Sequence, residues 1–132
     1  MGTGINVLIG YTGFIGSSLN QEQYQLKINS KNWQDILKPI EADRLVIAAP
    51  SGVKYLANRE PLNDLDKCLS LVRNIIKYFK SIKTMVIISS NDTLNPTTDY
   101  GQNRQYFNNL MEEVCRNKQV KFHLHSLVFL LF

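Results

Sequence analysis

The stretch Asn6-Val7-Leu8-Ile9-Gly10-Tyr11-Thr12-Gly13-Phe14-Ile15-Gly16 constrains the fold more than any other part of the chain. An apolar run ends in three glycines spaced three apart. A run of this kind reads as a buried strand, and the glycines allow a sharp turn into a helix. Gly10 is expected to make the tight turn, Gly13 to let a pyrophosphate approach, and Gly16 to let the helix pack on the sheet. The free N–H groups at the start of that helix would face the anion, so the turn points to a dinucleotide site.

The rest of the chain alternates strand and helix patterns. Strands are predicted over Ile5–Ile9, Tyr24–Ile28, Leu45–Ala49, Met85–Ile88 and from Val120 onward. Helices are predicted over Phe14–Asn20, Trp33–Leu37, Leu62–Ser81 and Tyr100–Asn117. The third carries an apolar stripe through Leu65, Leu69, Val72, Ile76 and Phe79, and the fourth through Tyr106, Leu110 and Val114. This order implies an α/β domain: a doubly wound parallel sheet of the Rossmann type, ending at about the fifth strand. Ligands of such sheets sit at the carboxyl ends of the strands, near the point where strand order reverses.

Length and composition are those of one ordinary globular domain spanning 1–132, with 44% apolar and 20% charged residues. The net charge of +4 comes from scattered basic residues not interleaved with aromatics, which argues against nucleic acid. Cys68 and Cys115 lie in predicted helices without partner ligands. They read as buried or half-buried free thiols, which fits a reducing, cytoplasmic compartment. The apolar tail Ser126–Phe132 is far shorter than the ~20 residues of a membrane span. Its exposed burial demand suggests a homo-oligomer packed through this end. His123 and His125 share a strand face but have no acidic or thiol neighbour in sequence, so no metal is expected.

The string from Gly10 to Leu19 resembles the fingerprint of extended short-chain dehydrogenases/reductases, in particular the NAD-dependent epimerase/dehydratase group acting on nucleotide sugars. The resemblance continues at Asp43–Ala49, at Val86–Ser90 and at Tyr100-Gly101-Gln102-Asn103-Arg104, and fades at about His125. It implies that Gly10, Thr12, Gly13, Phe14, Ile15 and Gly16, with Ala48 and Ala49, hold the cofactor. It also implies a catalytic group in which Ser90 orients the substrate oxygen and Tyr100 is the general acid/base. Arg104 stands where the family has a lysine. Residues i and i+4 share a helix face, and a cation beside a phenol favours the phenolate. Arginine keeps the charge but not the compact ammonium. Asn91 and Asp92 follow Ser90, where the dehydratase branch has acidic residues; Asp92 has acid/base capacity and Asn91 has none. Cys68 stands where the family often has an asparagine.

NAD-preferring sites usually carry an acidic residue after the second strand. Here that position reads Asn29-Ser30-Lys31-Asn32, with Asn29 and Lys31 as candidate cofactor contacts, and Lys31 would neutralise a 2′-phosphate. The cofactor is thus NAD or NADP, with a lean to NADP, and Trp33 is expected near the adenine end. Three functions fit these residues. One is hydride transfer on a nucleotide sugar. Another is a non-catalytic dinucleotide-binding module, favoured by Arg104 and by the expected lack of the family's C-terminal substrate-binding part. The last is a structural domain whose glycine turn binds nothing or only an ion.

Overall fold

The computed structural model describes residues 4–48, 54–90 and 97–127. Its strands are β1 (Ile5–Ile9), β2 (Leu26–Ile28), β3 (Ile40–Ile47), β4 (Phe79–Ser90) and β5 (Lys121–Leu127). Its helices are α1 (Phe14–Ser17), α2 (Lys54–Arg59), α3 (Pro61–Tyr78) and α4 (Asp99–Asn117). The strands form one parallel sheet in the order β2-β1-β3-β4-β5, the Rossmann-like α/β arrangement that the alternating pattern predicts. β2 lies on one side of β1 and β3 on the other, so the strand order reverses at β1/β3. In sheets of this type ligands bind outside the carboxyl ends of the strands near such a reversal, and here the glycine turn follows the carboxyl end of β1.

Alternation along the strands divides the core between two faces. Val7, Ile9, Leu45, Ile47, Met85 and Ile87 point toward α3 and α4 and join the larger cluster. Leu8, Val46, Ala48 and Val86 point the other way, where Ile15 and Leu19 pack on them. The middle strands are apolar on both faces, as parallel strands buried on both sides are. Among the described residues no helix is long and apolar enough to cross a membrane.

Several boundaries differ from expectation for local reasons. α1 ends at Ser17 rather than Asn20, because Ser18 Oγ donates to the Ile15 carbonyl (2.7 Å) and Asn20 caps a new 3-10 turn at Gln21–Gln23. Gln21 Nε2 then donates to the carbonyls of Tyr11 and Gly16, folding the chain back under the turn. The helix expected over Trp33–Leu37 is a 3-10 turn at Trp33–Asp35, stopped before Pro39. Phe79, expected within a helix, is already extended and opens β4. α2 has no counterpart in the expected order.

The faces of the two long helices are rotated from the apolar stripes. α3 buries Asp64, Cys68, Leu71, Val72 and Ile75, while Leu65 and Leu69 are half-buried and Ile76 is exposed. α4 buries Arg104, Phe107, Asn108, Met111 and Cys115, leaving Tyr106 exposed and Leu110 and Val114 half-buried. The rotation brings Asp64 and Arg104 face to face between the helices.

Candidate dinucleotide site

The glycine turn is held in one geometry by its own backbone. Gly10 has φ 91°, a left-handed conformation that glycine adopts without steric cost. Its N–H donates to the Ile28 carbonyl (2.7 Å), and its carbonyl accepts from the Gly13 N–H (3.2 Å). A Cβ on Gly16 would overlap the Gly10 carbonyl oxygen and lie 2.7 Å from the carbonyl carbon, so only glycine allows this approach. Ile15 packs on the sheet, and Phe14 opens α1. With only four residues, α1 has little dipole to offer an anion. Beside the turn lies a cavity lined in part by its backbone.

That cavity has a volume of about 370 Å³. Gly10, Thr12 and Gly13 form one side, and Asn29 and Ser30 at the end of β2 form another, with Trp33 beside them. Trp33 is largely buried and stacks on Tyr78 with ring centroids 5.3 Å apart. The far wall is a face of α3 that includes Lys67, Ser70 and Asn74. The loop after β2 is fixed by paired asparagines. Asn32 Oδ1 accepts from the Asn29 N–H (2.8 Å), and Asn29 Oδ1 from the Lys31 N–H (2.9 Å). The Lys31 side chain is exposed and lies outside the cavity lining. Ala48 continues the line of β3 and donates to the Ile9 carbonyl (2.8 Å). Ala49, Asn91 and Asp92 lie outside the described residues.

Tyr100 and Arg104 share the first turns of α4. Thr98 caps this helix by accepting from the Gly101 N–H, and Asn58 Oδ1 accepts from the Tyr100 N–H. Arg104 Cζ stands 4.7 Å from the centroid of the Tyr100 ring, a cation–π contact. Its guanidinium is buried and makes a two-pronged ion pair with Asp64, Nη1 and Nη2 each 2.9 Å from a carboxylate oxygen. Asn103 Nδ2 donates to the same carboxylate and to the Pro61 carbonyl. Arg104 Nη1 also donates to Cys68 Sγ (3.0 Å), while the buried Nε has no partner among the described residues. Ser90 ends β4, and the neighbouring Ser89 Oγ accepts from the buried Asn108 Nδ2 (3.0 Å). The structure therefore brings Tyr100 and Arg104 together and ties α4 to both α3 and the end of β4.

Both cysteines are buried free thiols. Burial pushes the Cys68 thiol up, against the lowering effect of Arg104, and pushes Cys115 up to about 11. Raised values favour the thiol form in the fold, so the stability linked to Cys115 is present below pH 9.0 and lost as pH rises toward about 11. Both thiols should resist an aromatic disulfide reagent at pH 8 in the native state and react fully in denaturant. Rapid native modification would contradict this burial. His123 and His125 are exposed, and the described residues contain no cluster of three or more potential metal ligands.

The glycine turn and Trp33, singled out in the sequence, line the cavity, as do Lys67, Ser70 and Asn74, which were not singled out. The polar spacing 67, 70, 74 on one face of α3 is the one sequence trace of that wall, and the buried Asp64 leaves none.

The sequence matches no protein-family model and no curated protein. Solved structures do match its fold. UDP-glucose 4-epimerase from Thermotoga maritima superposes with a TM-score of 0.66 at 17% identity, over 90% of this chain and 54% of that one. UDP-N-acetylglucosamine 4-epimerase from Methanobrevibacter ruminantium gives 0.62 at 18%, over 94% and 54%. RMD from Pseudomonas aeruginosa, solved with NADPH, gives 0.66 at 14%, over 92% and 52%. The chain thus spans about half the length of the structures it matches. It has the Rossmann-like fold found in epimerase/dehydratase-type short-chain dehydrogenase/reductase enzymes.

Proposed function

We propose that this chain binds a nicotinamide dinucleotide and is the cofactor-binding part of an epimerase, dehydratase or reductase acting on a nucleotide sugar. The observation that carries the reading is the cavity over the glycine turn. It opens beside the carboxyl ends of β1 and β2 with Gly10, Thr12 and Gly13 in its lining, and the turn that shapes it tolerates no Cβ at Gly16. The residues present suit the group. The Gly10–Gly13 backbone would take the pyrophosphate, Asn29 and Ser30 the adenosine ribose, and Trp33 would border the adenine. Ala48, with Ala49, would continue the site along β3. Bound there, a nicotinamide supplies hydride transfer. Ser90 would orient the substrate oxygen, and Tyr100 would hold or release the proton. Arg104 would act on Tyr100 through the face of its ring. The neighbours solved with NADPH or with NAD⁺ support the cofactor class, and those named for UDP-sugars support the substrate class.

A specific observation favours a second reading, dinucleotide binding without turnover. The Arg104 charge is taken up by Asp64, so it is less available to a phenolate or a ribose than a free lysine would be. Calorimetric titration of the chain with NADH and NADPH tests the shared premise. Saturable binding of at least one is expected, and absence of heat with either at millimolar concentration would overturn both readings.

A further inference from the structure

We propose that Lys67, on α3, is the residue that selects NADP over NAD by binding the 2′-phosphate. The proposal rests on the cofactor reading above and assigns a specificity-determining residue within that site. Lys67 lines the same cavity as Asn29 and Ser30, at the carboxyl end of β2 where a ribose diol is read. It shares a helix face with Ser70 and Asn74, so three polar side chains of α3 look across the cavity toward the glycine turn.

The charges around the cavity favour this role. Lys80 and Lys83 are paired with Glu41 and Asp43, whereas Lys67 has no ion-pair partner among the described residues. Among the described residues the one carboxylate lining the cavity is Asp66, and it lies 3.9 Å from Arg73 Nη2, a cation that offsets it. The β2 loop offers no acid to repel a phosphate: it reads Asn29-Ser30-Lys31-Asn32. Asn29 lines the cavity, and its Oδ1 is engaged by the Lys31 N–H, which leaves its Nδ2 as the donor still available. A dianionic phosphate placed between Ser30 and α3 would meet donors from Asn29, Ser30 and Ser70, with the Lys67 ammonium closing the mouth.

The test compares the full wild-type chain with Lys67→Gln and Lys67→Arg, titrated with NADPH, NADH, 2′,5′-ADP and 5′-AMP. Lys67 is exposed, so the variants should melt like the wild type. Lys67→Gln is expected to weaken NADPH and 2′,5′-ADP by about tenfold and to leave NADH and 5′-AMP within about twofold. Lys67→Arg is expected to retain most of the preference. Equal weakening of all four ligands would place Lys67 on the adenosine 5′-phosphate that they share and overturn the proposal. An unchanged NADPH affinity would overturn it too. A wild type that binds NADH but not NADPH overturns it while the cofactor reading stands. A wild type that binds neither removes the cofactor reading itself.

Discussion

Asp64→Ala is expected to destabilise the fold by about 3–5 kcal/mol, because it leaves the Arg104 guanidinium buried without its counter-charge. Both side chains of the pair are 6% exposed, so neither has water as an alternative partner. The same carboxylate accepts from Asn103, so the truncation also frees an amide at the start of α4. Replacing both partners with apolar residues of similar volume, Asp64→Leu with Arg104→Met, should recover most of that loss, since a buried pair competes poorly with packed hydrocarbon. Urea denaturation of the two variants and the wild type checks this. A loss below about 1 kcal/mol for Asp64→Ala would mean the pair is solvated, contrary to the burial described.

Gly16→Ala is expected to cost about 3 kcal/mol and to weaken dinucleotide binding by more than about tenfold. The new Cβ would sit 2.7 Å from the Gly10 carbonyl carbon and 3.0 Å from Tyr11 Cα, and both are backbone atoms that no rotamer change can move aside. Relief requires α1 to shift away from β1, which opens the Gly10–Gly13 contact and displaces the cradle. Thermal melts and NADPH titration of the variant measure the two effects. Wild-type values for both would show that the turn is not closed against α1.

Much of this architecture was legible because parallel sheets write themselves as apolar runs. Val7–Ile9 of β1, Leu45–Ile47 of β3 and Met85–Ile88 of β4 are continuous stretches of Val, Ile, Leu and Met, and the three glycines mark the turn from the first of them into α1. Helix lengths were less legible where short polar side chains compete with the backbone, as Ser18 and Asn20 do after α1. The buried faces of α3 and α4 depart from their apolar stripes for a different reason. Apolar periodicity assumes that only hydrocarbon is buried, yet Asp64, Arg104 and Asn108 turn inward because each finds a partner there. Pairing of residues 40 positions apart leaves no mark on a single sequence. The far wall of the cavity was hidden likewise. Lys67, Ser70 and Asn74 lie beside the glycine turn only through the fold, in which the crossover from β2 to β3 is a 3-10 turn and α3 reaches the cavity.

Fluorescence of the single tryptophan reports whether a dinucleotide occupies the cavity beside the glycine turn. Trp33 lines the cavity beside Asn29 and Ser30, and its emission overlaps nicotinamide absorption. Titration with NADPH should quench Trp33 saturably, with sensitised nicotinamide emission, at the affinity seen by calorimetry, and Gly16→Ala should abolish the quenching at the same concentrations. Calorimetric binding with unchanged Trp33 emission would place the nucleotide elsewhere on the molecule and contradict the site. Absence of both signals would contradict dinucleotide binding altogether.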